Sequence, residues 1–153
     1  MPLDWSTIKY FKRDEFDSPD LPGSGDNMNE DFIKKLDEAR REAGIPFIIN
    51  SGFRTTQHNN KVDGEKNSSH LMGLACDIKV KNNRDRRIII NALIRVGLNK
   101  RIGIGSTFIH VDADYHKPDS FWLYNSQTGK ALSFIKNILG GRNKKTDKKE
   151  ISC

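Results

Sequence analysis

Two histidines and one aspartate are the residues of this chain best suited to chemistry. His70 and Asp77 fall within Asn67-Ser68-Ser69-His70-Leu71-Met72-Gly73-Leu74-Ala75-Cys76-Asp77, and His110 within Phe108-Ile109-His110-Val111-Asp112. Imidazole nitrogen and carboxylate oxygen together suit a borderline-soft divalent cation, with zinc as the default. Both segments read as strands, along which side chains alternate between faces. Asp77 then shares a face with Ala75 and Lys79, while Cys76, Ile78 and Val80 take the other. Phe108, His110 and Asp112 share a face opposite Ile109 and Val111. If the two strands are neighbours, Asp77 and His110 converge while the aliphatic residues anchor the core, and His70 enters from the glycine-bearing loop before the first strand. Three protein ligands leave a fourth tetrahedral position for water, the layout of a catalytic zinc. Spacing alone also admits a plainer reading, hydrogen-bonded histidines and a solvated aspartate.

The elements that must position these residues follow from periodicity. From Asn29 to Ala43 the apolar residues Phe32, Ile33, Leu36, Ala39 and Ala43 recur at helical spacing. Asn29 suits the N-cap, Glu30 and Asp31 the first turn, and Gly44 the stop. Pro46 to Asn50 predicts a short buried strand ending at Ser51-Gly52, with Arg54 just beyond. His58-Asn59-Asn60 is expected in the loop that follows, where His58 either holds the loop by hydrogen bonds or offers a fourth metal ligand. Val62 to Glu65 is a turn. A second helix is expected from Arg84 to Val96, capped by Asn82 or Asn83, with an apolar face of Ile88, Ile89, Ala92, Leu93 and Val96 and a stop at Gly97. After Arg101–Gly105 and the Phe108–Asp112 strand, Phe121 to Tyr124 reads as a last strand and Ala131 to Leu139 as a short helix. Gly103 and Gly105 do not form a nucleotide loop, since no third glycine or phosphate-binding helix follows in register; they suit close backbone approach. The pattern predicts one α+β domain with a small, mainly antiparallel sheet and flanking helices. Residues 1–27 are expected to be irregular and packed on the domain, residues 28–139 to form the domain, and residues 140–153 to be a basic, disordered tail.

A chain of 153 residues can bury a real core. No run approaches the roughly 18 apolar residues of a membrane span. Met1-Pro2-Leu3-Asp4-Trp5 shows no secretory signal, so synthesis in the cytoplasm is expected. The two cysteines, Cys76 and Cys153, give no disulfide framework. A formal charge of +6 admits nucleic acid, an anionic membrane or an anionic polymer as partner. Aromatic residues do not interleave with the basic run as a stacking platform requires, which argues against nucleic acid. A monomer is expected.

Ser68-x-His70-x-x-Gly73-x-Ala75-x-Asp77, preceded by Ser51-Gly52-Phe53-Arg54 and followed by His110-Val111-Asp112, resembles the M15 family of zinc peptidases. These are D-Ala-D-Ala carboxypeptidases and murein endopeptidases, and they share their fold with the hedgehog signalling domain. The resemblance runs from about Trp5 to about Tyr124, and Phe11, Glu15-Phe16 and Ser18-Pro19 look like a small, phage-type subgroup. It implies Zn2+ held by His70, Asp77 and His110, and peptidoglycan stem peptides as substrate. It also implies that Arg54 binds the substrate's terminal carboxylate or neighbouring backbone. Many members carry an acidic residue three positions before the last ligand, or a histidine two before it. Thr107 and Phe108 stand there, so neither assignment transfers. Asp112, one pleat from His110 (about 7 Å along the strand), is then either the general base or the carboxylate that orients a ligand imidazole; Asp114 and His116 are further candidates. Ser68 either binds substrate or fixes the His70 loop, and Trp122 either walls the cleft or packs in the core. A wall-active enzyme without an export signal implies phage or prophage origin, acting after lysis or from a virion. Two other classes remain: a zinc-holding, hedgehog-type binding module without turnover, and a basic nucleic-acid-binding domain.

Overall fold

Asn29 opens the first helix through its side chain, whose Oδ1 accepts the backbone N–H of Phe32. Helix α1 (Glu30–Ala43) then runs to Gly44, which stops it in left-handed conformation with φ of 66°. The computed structural model describes residues 2–132. Among them, β1 (Ile49–Ser51), a short helix α2 (Thr56–Lys61), β2 (Ala75–Lys79), α3 (Asn83–Arg95), β3 (Arg101–Ile104), β4 (Phe108–Asp112) and β5 (Ser120–Leu123) follow in order. The strands form one sheet in the order β1-β2-β4-β3-β5. All neighbours are antiparallel except β3 and β5. The chain is thus a single α+β domain, as its sequence pattern predicts. None of the described helices is long and apolar enough to cross a membrane.

One face of the sheet is apolar. Cys76 and Ile78 of β2, Ile102 of β3, and Ile109 and Val111 of β4 join Phe32, Ile33 and Leu36 of α1 and Ile89 and Leu93 of α3 in one buried cluster. Alternation along each strand sends the other side chains to the opposite face, and the register sorts these into rows. Ser51, Asp77, His110, Gly103 and Trp122 are successive partners across the five strands. The next row holds Ala75, Asp112, Arg101 and Ser120. Polar and titratable side chains are therefore gathered on one face while the other closes the core.

The segment before α1 carries three short 3-10 turns, Trp5–Thr7, Arg13–Phe16 and Ser24–Asn27, and an isolated bridge between Ser18 and Leu21. Its aromatic residues fasten it down. Trp5 stacks on Phe16 at 5.7 Å, and Phe11 meets Phe16 edge-on at 5.3 Å. Phe16 in turn lies against Gly52, where an added Cβ would come within 2.6 Å of the Phe16 Cα.

Two local expectations are corrected. Pairing with β2 begins at Ile49 rather than Pro46, which has no N–H to give a ladder, and Phe47 turns into the core. His58-Asn59-Asn60 is helical rather than loop, because Thr55 Oγ1 accepts the His58 backbone N–H at 3.1 Å and caps α2. The last strand starts at Ser120 and runs parallel to β3. Ala131 makes an extended bridge to Tyr124. The helix expected over 131–139 otherwise lies outside the described residues, as does the tail 140–153.

Candidate metal centre

Direct pairing of Asp77 with His110 across β2 and β4 sets their side chains side by side. Asp77 Oδ1 lies 3.0 Å from His110 Nδ1. His70 comes from the 3-10 turn Ser69–Met72, which Ser68 caps by accepting the His70 backbone N–H. Gly73, with φ of 69°, returns the chain to β2. The loop after β1 clamps this turn: the Arg54 backbone N–H donates to the His70 carbonyl at 3.1 Å. The Gly52 carbonyl holds His70 Nδ1 at 2.7 Å, which leaves Nε2 at 3.4 Å from Asp77 Oδ1. One donor atom each from His70, Asp77 and His110 lies within 4.8 Å of the others.

Each histidine is held at the ring nitrogen turned away from this cluster. Asp112 Oδ2 sits 2.7 Å from His110 Nε2, and Gly52 plays the same part for His70. This is the outer arrangement that fixes tautomer and orientation in metal-ligating imidazoles. Asp112 is itself anchored: its Oδ1 accepts from Arg101 Nε at 2.8 Å and from the Asp114 backbone N–H at 3.1 Å. The donor set of two imidazoles and a carboxylate, at this spacing and with both far nitrogens secured, fits a zinc-type ion.

Arg54 takes an unexpected share in holding the site. Its Nε donates to Ser51 Oγ, one terminal nitrogen to Asn59 Oδ1 and the other to Asp77 Oδ2. Burial disfavours the charge on Asp77, but the two imidazoles beside it outweigh this and hold the carboxyl well below the ordinary range. Burial also pushes His70 below the usual imidazole value, against the upward pull of Asp77. Burial acts downward on His110 too, yet its hydrogen bonds to Asp112 and Asp77 together raise it above the usual imidazole value of about 6.5.

That asymmetry gives a sign to metal uptake. Coordination needs neutral imidazole, so below its raised value His110 must lose a proton before an ion can bind. Zinc affinity is expected to fall about tenfold per pH unit below the raised His110 value, with about one proton released on binding. Calorimetry in buffers of different ionisation enthalpy measures both, and an affinity constant between about pH 5 and pH 7 would contradict the assignment.

The cluster lies in a cavity of about 540 Å³. Arg54, Ser68, His70, Asp77, His110, Asp112 and Trp122 all line it, whereas the further candidates His58, Asp114 and His116 do not. Gly103 makes room for Trp122, since a Cβ there would meet the indole at 2.7 Å. The indole instead reaches His110, ring centroids 5.5 Å apart, and carries Arg101 on its other contact at 4.9 Å. His58 is not part of the ligand cluster. His116 is exposed and pairs with Asp114. Cys76 points into the core, where burial drives its thiol well above its usual value.

Sequence reasoning missed the Gly52 carbonyl, Asn59 and Arg101. Arg101 alone carried a signal, an arginine two residues before Gly103 and hence on the same strand face. The model of the family described as Peptidase M15 matches residues 9–112. A search of the curated proteins finds no match. The matched stretch covers well over half the sequence and includes both ligand strands together with the His70 turn, and on that basis the chain belongs to the M15 peptidase family.

Proposed function

We propose that this chain is a zinc-dependent peptidase that hydrolyses peptide bonds in peptidoglycan stem peptides, as a D-Ala-D-Ala carboxypeptidase or murein endopeptidase. The observation that carries the reading is the convergence of His70, Asp77 and His110 within 4.8 Å on the wall of one cavity. Family membership supports the peptidase chemistry, and the net positive charge suits an anionic wall polymer. A phage-type origin, with access to the wall after lysis or from a virion, belongs to the same proposal.

His70 Nε2, an Asp77 oxygen and His110 Nδ1 would hold the zinc. Bound there, the ion supplies a polarised substrate carbonyl and a water whose pKa drops toward about 7. Asp112 is the carboxylate that orients His110, because both of its oxygens are already committed, to His110 Nε2 on one side and to Arg101 and the Asp114 N–H on the other. Arg54 has five N–H donors; three hold Ser51, Asn59 and Asp77, and the others serve the substrate backbone, the second of the two roles that the resemblance implies for it. Ser68 caps the His70 turn and lines the cavity beside it, and Trp122 forms the wall against His110.

These roles separate under substitution. Asp112→Asn is expected to weaken zinc about 10–100-fold while turnover recovers at saturating zinc. A loss of turnover that zinc cannot restore would make Asp112 the general base instead. The proposal itself is tested by digesting purified sacculi with and without chelator and identifying released fragments by mass. Zinc-dependent release of stem-peptide fragments is the expected result. Phe108, which packs over Gly105, and Thr107 stand where relatives carry acid–base residues. That departure motivates a second reading, a zinc-holding binding module, which one bound zinc with no release would establish.

A further inference from the structure

Beyond β4 the chain turns through Asp114-Tyr115-His116-Lys117-Pro118 before entering β5. Asp114 is only 3% exposed in this turn. Ser69 Oγ donates to Asp114 Oδ2 at 2.7 Å, and the His116 backbone N–H donates to Oδ1 at 3.0 Å. A hydroxyl has one proton. Ser69 has given its proton to Asp114, so the 3.1 Å contact between Lys117 Nζ and Ser69 Oγ must be lysine donating. Lys117 Nζ also lies 3.7 Å from Asp114 Oδ2, near enough for charge attraction but too long for a hydrogen bond. The ammonium therefore spends one of its three N–H groups on acceptors among the described residues. Its position is nonetheless fixed, with the side chain 22% exposed. Its anchor, Ser69, directly precedes the ligand His70, and Lys117 lines the same cavity as the three metal-binding side chains.

The two guanidinium groups on the cavity wall also keep free N–H groups, but each is paired directly with a carboxylate of the centre, Arg54 with Asp77 at 3.3 Å and Arg101 with Asp112 at 2.8 Å. Arg54 is held by Asp77, Ser51 and Asn59. Arg101 is held by Asp112 and the Pro118 carbonyl, and lies over Trp122. Lys130 is 70% exposed and pairs with Asp63 at 3.6 Å. Lys117 combines spare donors with a position already paid for in rotamer freedom, the condition under which a charged contact adds most to binding. It also lies beyond the family match, which ends at residue 112.

We propose that Lys117, mounted on Ser69 and Asp114, is the cation with which this cavity recognises a free carboxylate on its peptide substrate. The inference rests on the peptidase reading for the identity of the ligand as a peptide. A stem-type peptide offers two sources of that group, its C-terminal carboxylate and any side-chain carboxylate, and both are tested. The zinc-loaded full chain is titrated with ketomethylene analogues of a D-alanine-terminated stem peptide, which cannot be hydrolysed. The analogues are used as the free acid, as the C-terminal amide and as the side-chain amide.

One of the two amidations is expected to weaken binding to the wild type about 10–100-fold, and which one it is names the carboxylate. Lys117→Gln, which can still donate to Ser69, is expected to bind acid and amide alike, and Lys117→Arg to restore the preference. A wild type indifferent to both amidations overturns the proposal, as does a preference that survives in Lys117→Gln or an absence of binding. Should Lys117→Gln fail to melt cooperatively, Lys117→Met takes its place under the same criteria. Carboxylate-selective binding without sacculus digestion would remove the hydrolytic function and leave Lys117's role standing. Digestion without the selectivity would do the reverse.

Discussion

Asp77→Ala is expected to abolish stoichiometric zinc retention and to lower peptide hydrolysis by at least about a thousandfold. No other side chain touches as much of the centre. One oxygen faces both imidazoles, 3.0 Å from His110 and 3.4 Å from His70, and the other accepts from Arg54 at 3.3 Å. Substitution therefore removes the carboxylate from the proposed ligand set, leaves a largely buried guanidinium without its carboxylate, and withdraws part of the support that raises His110. Asp77 lies on the cavity face and not in the apolar cluster, so the domain should still fold. Metal content after dialysis, near-ultraviolet circular dichroism and sacculus digestion separate these effects. A variant that retains one zinc and more than about a tenth of its turnover would remove Asp77 from the centre; each factor of ten is about 1.4 kcal/mol of barrier.

Gly73→Val is expected to cost at least about 3 kcal/mol of unfolding free energy. The backbone there has φ of 69°, a conformation that penalises side chains by about 1–2 kcal/mol and β-branched ones most. Space adds to conformation: a Cβ at residue 73 would lie 2.1 Å from the Asn27 carbonyl oxygen and 2.9 Å from its carbon. Both atoms are backbone, so no rotamer change relieves the clash. The Gly73 carbonyl also accepts the Asn29 N–H at 2.9 Å, which ties the displaced loop to the cap of α1 and to the turn that carries His70. Gly44→Ala is the control. Its φ is 66°, but nothing lies within 4 Å of an added Cβ, so about 1 kcal/mol is expected. Urea denaturation measures both, and equal losses at the two positions would show that the Asn27 contact is absent.

Much of this molecule is readable one residue at a time. Asn29 and Gly44 bracket α1 because capping and left-handed termination depend on groups within a turn of the helix end. Asn82 caps α3 in the same way. Alternation places Asp77 and His110 on polar faces and Ile78 and Ile109 in the core, since the period of two belongs to the strand itself. Asp77 and His110 were therefore legible as candidates from residue type and alternation, while His70, on a turn, was joined to them by the resemblance to the M15 family. Thr55 was a cap of the same kind, overlooked because α2 is too short to show apolar periodicity.

The arrangement of these residues toward one another was not legible. A one-residue slip between β2 and β4 would preserve both sequences and turn one polar row into the core; burial of Cys76, Ile78, Ile109 and Val111 against distant helices excludes it. Only that register makes Asp77 face His110, opens the space over Gly103 to Trp122, and lays Arg101 beside Asp112. The same register turns Asp112 to the far nitrogen of His110, a contact that spacing along one strand does not reveal. Lys117 reaches Ser69 across residues remote in the chain. Local interactions determined the elements and the candidate ligands; packing of remote apolar surfaces determined how those ligands meet, because hydrophobic burial is satisfied only by the chain as a whole.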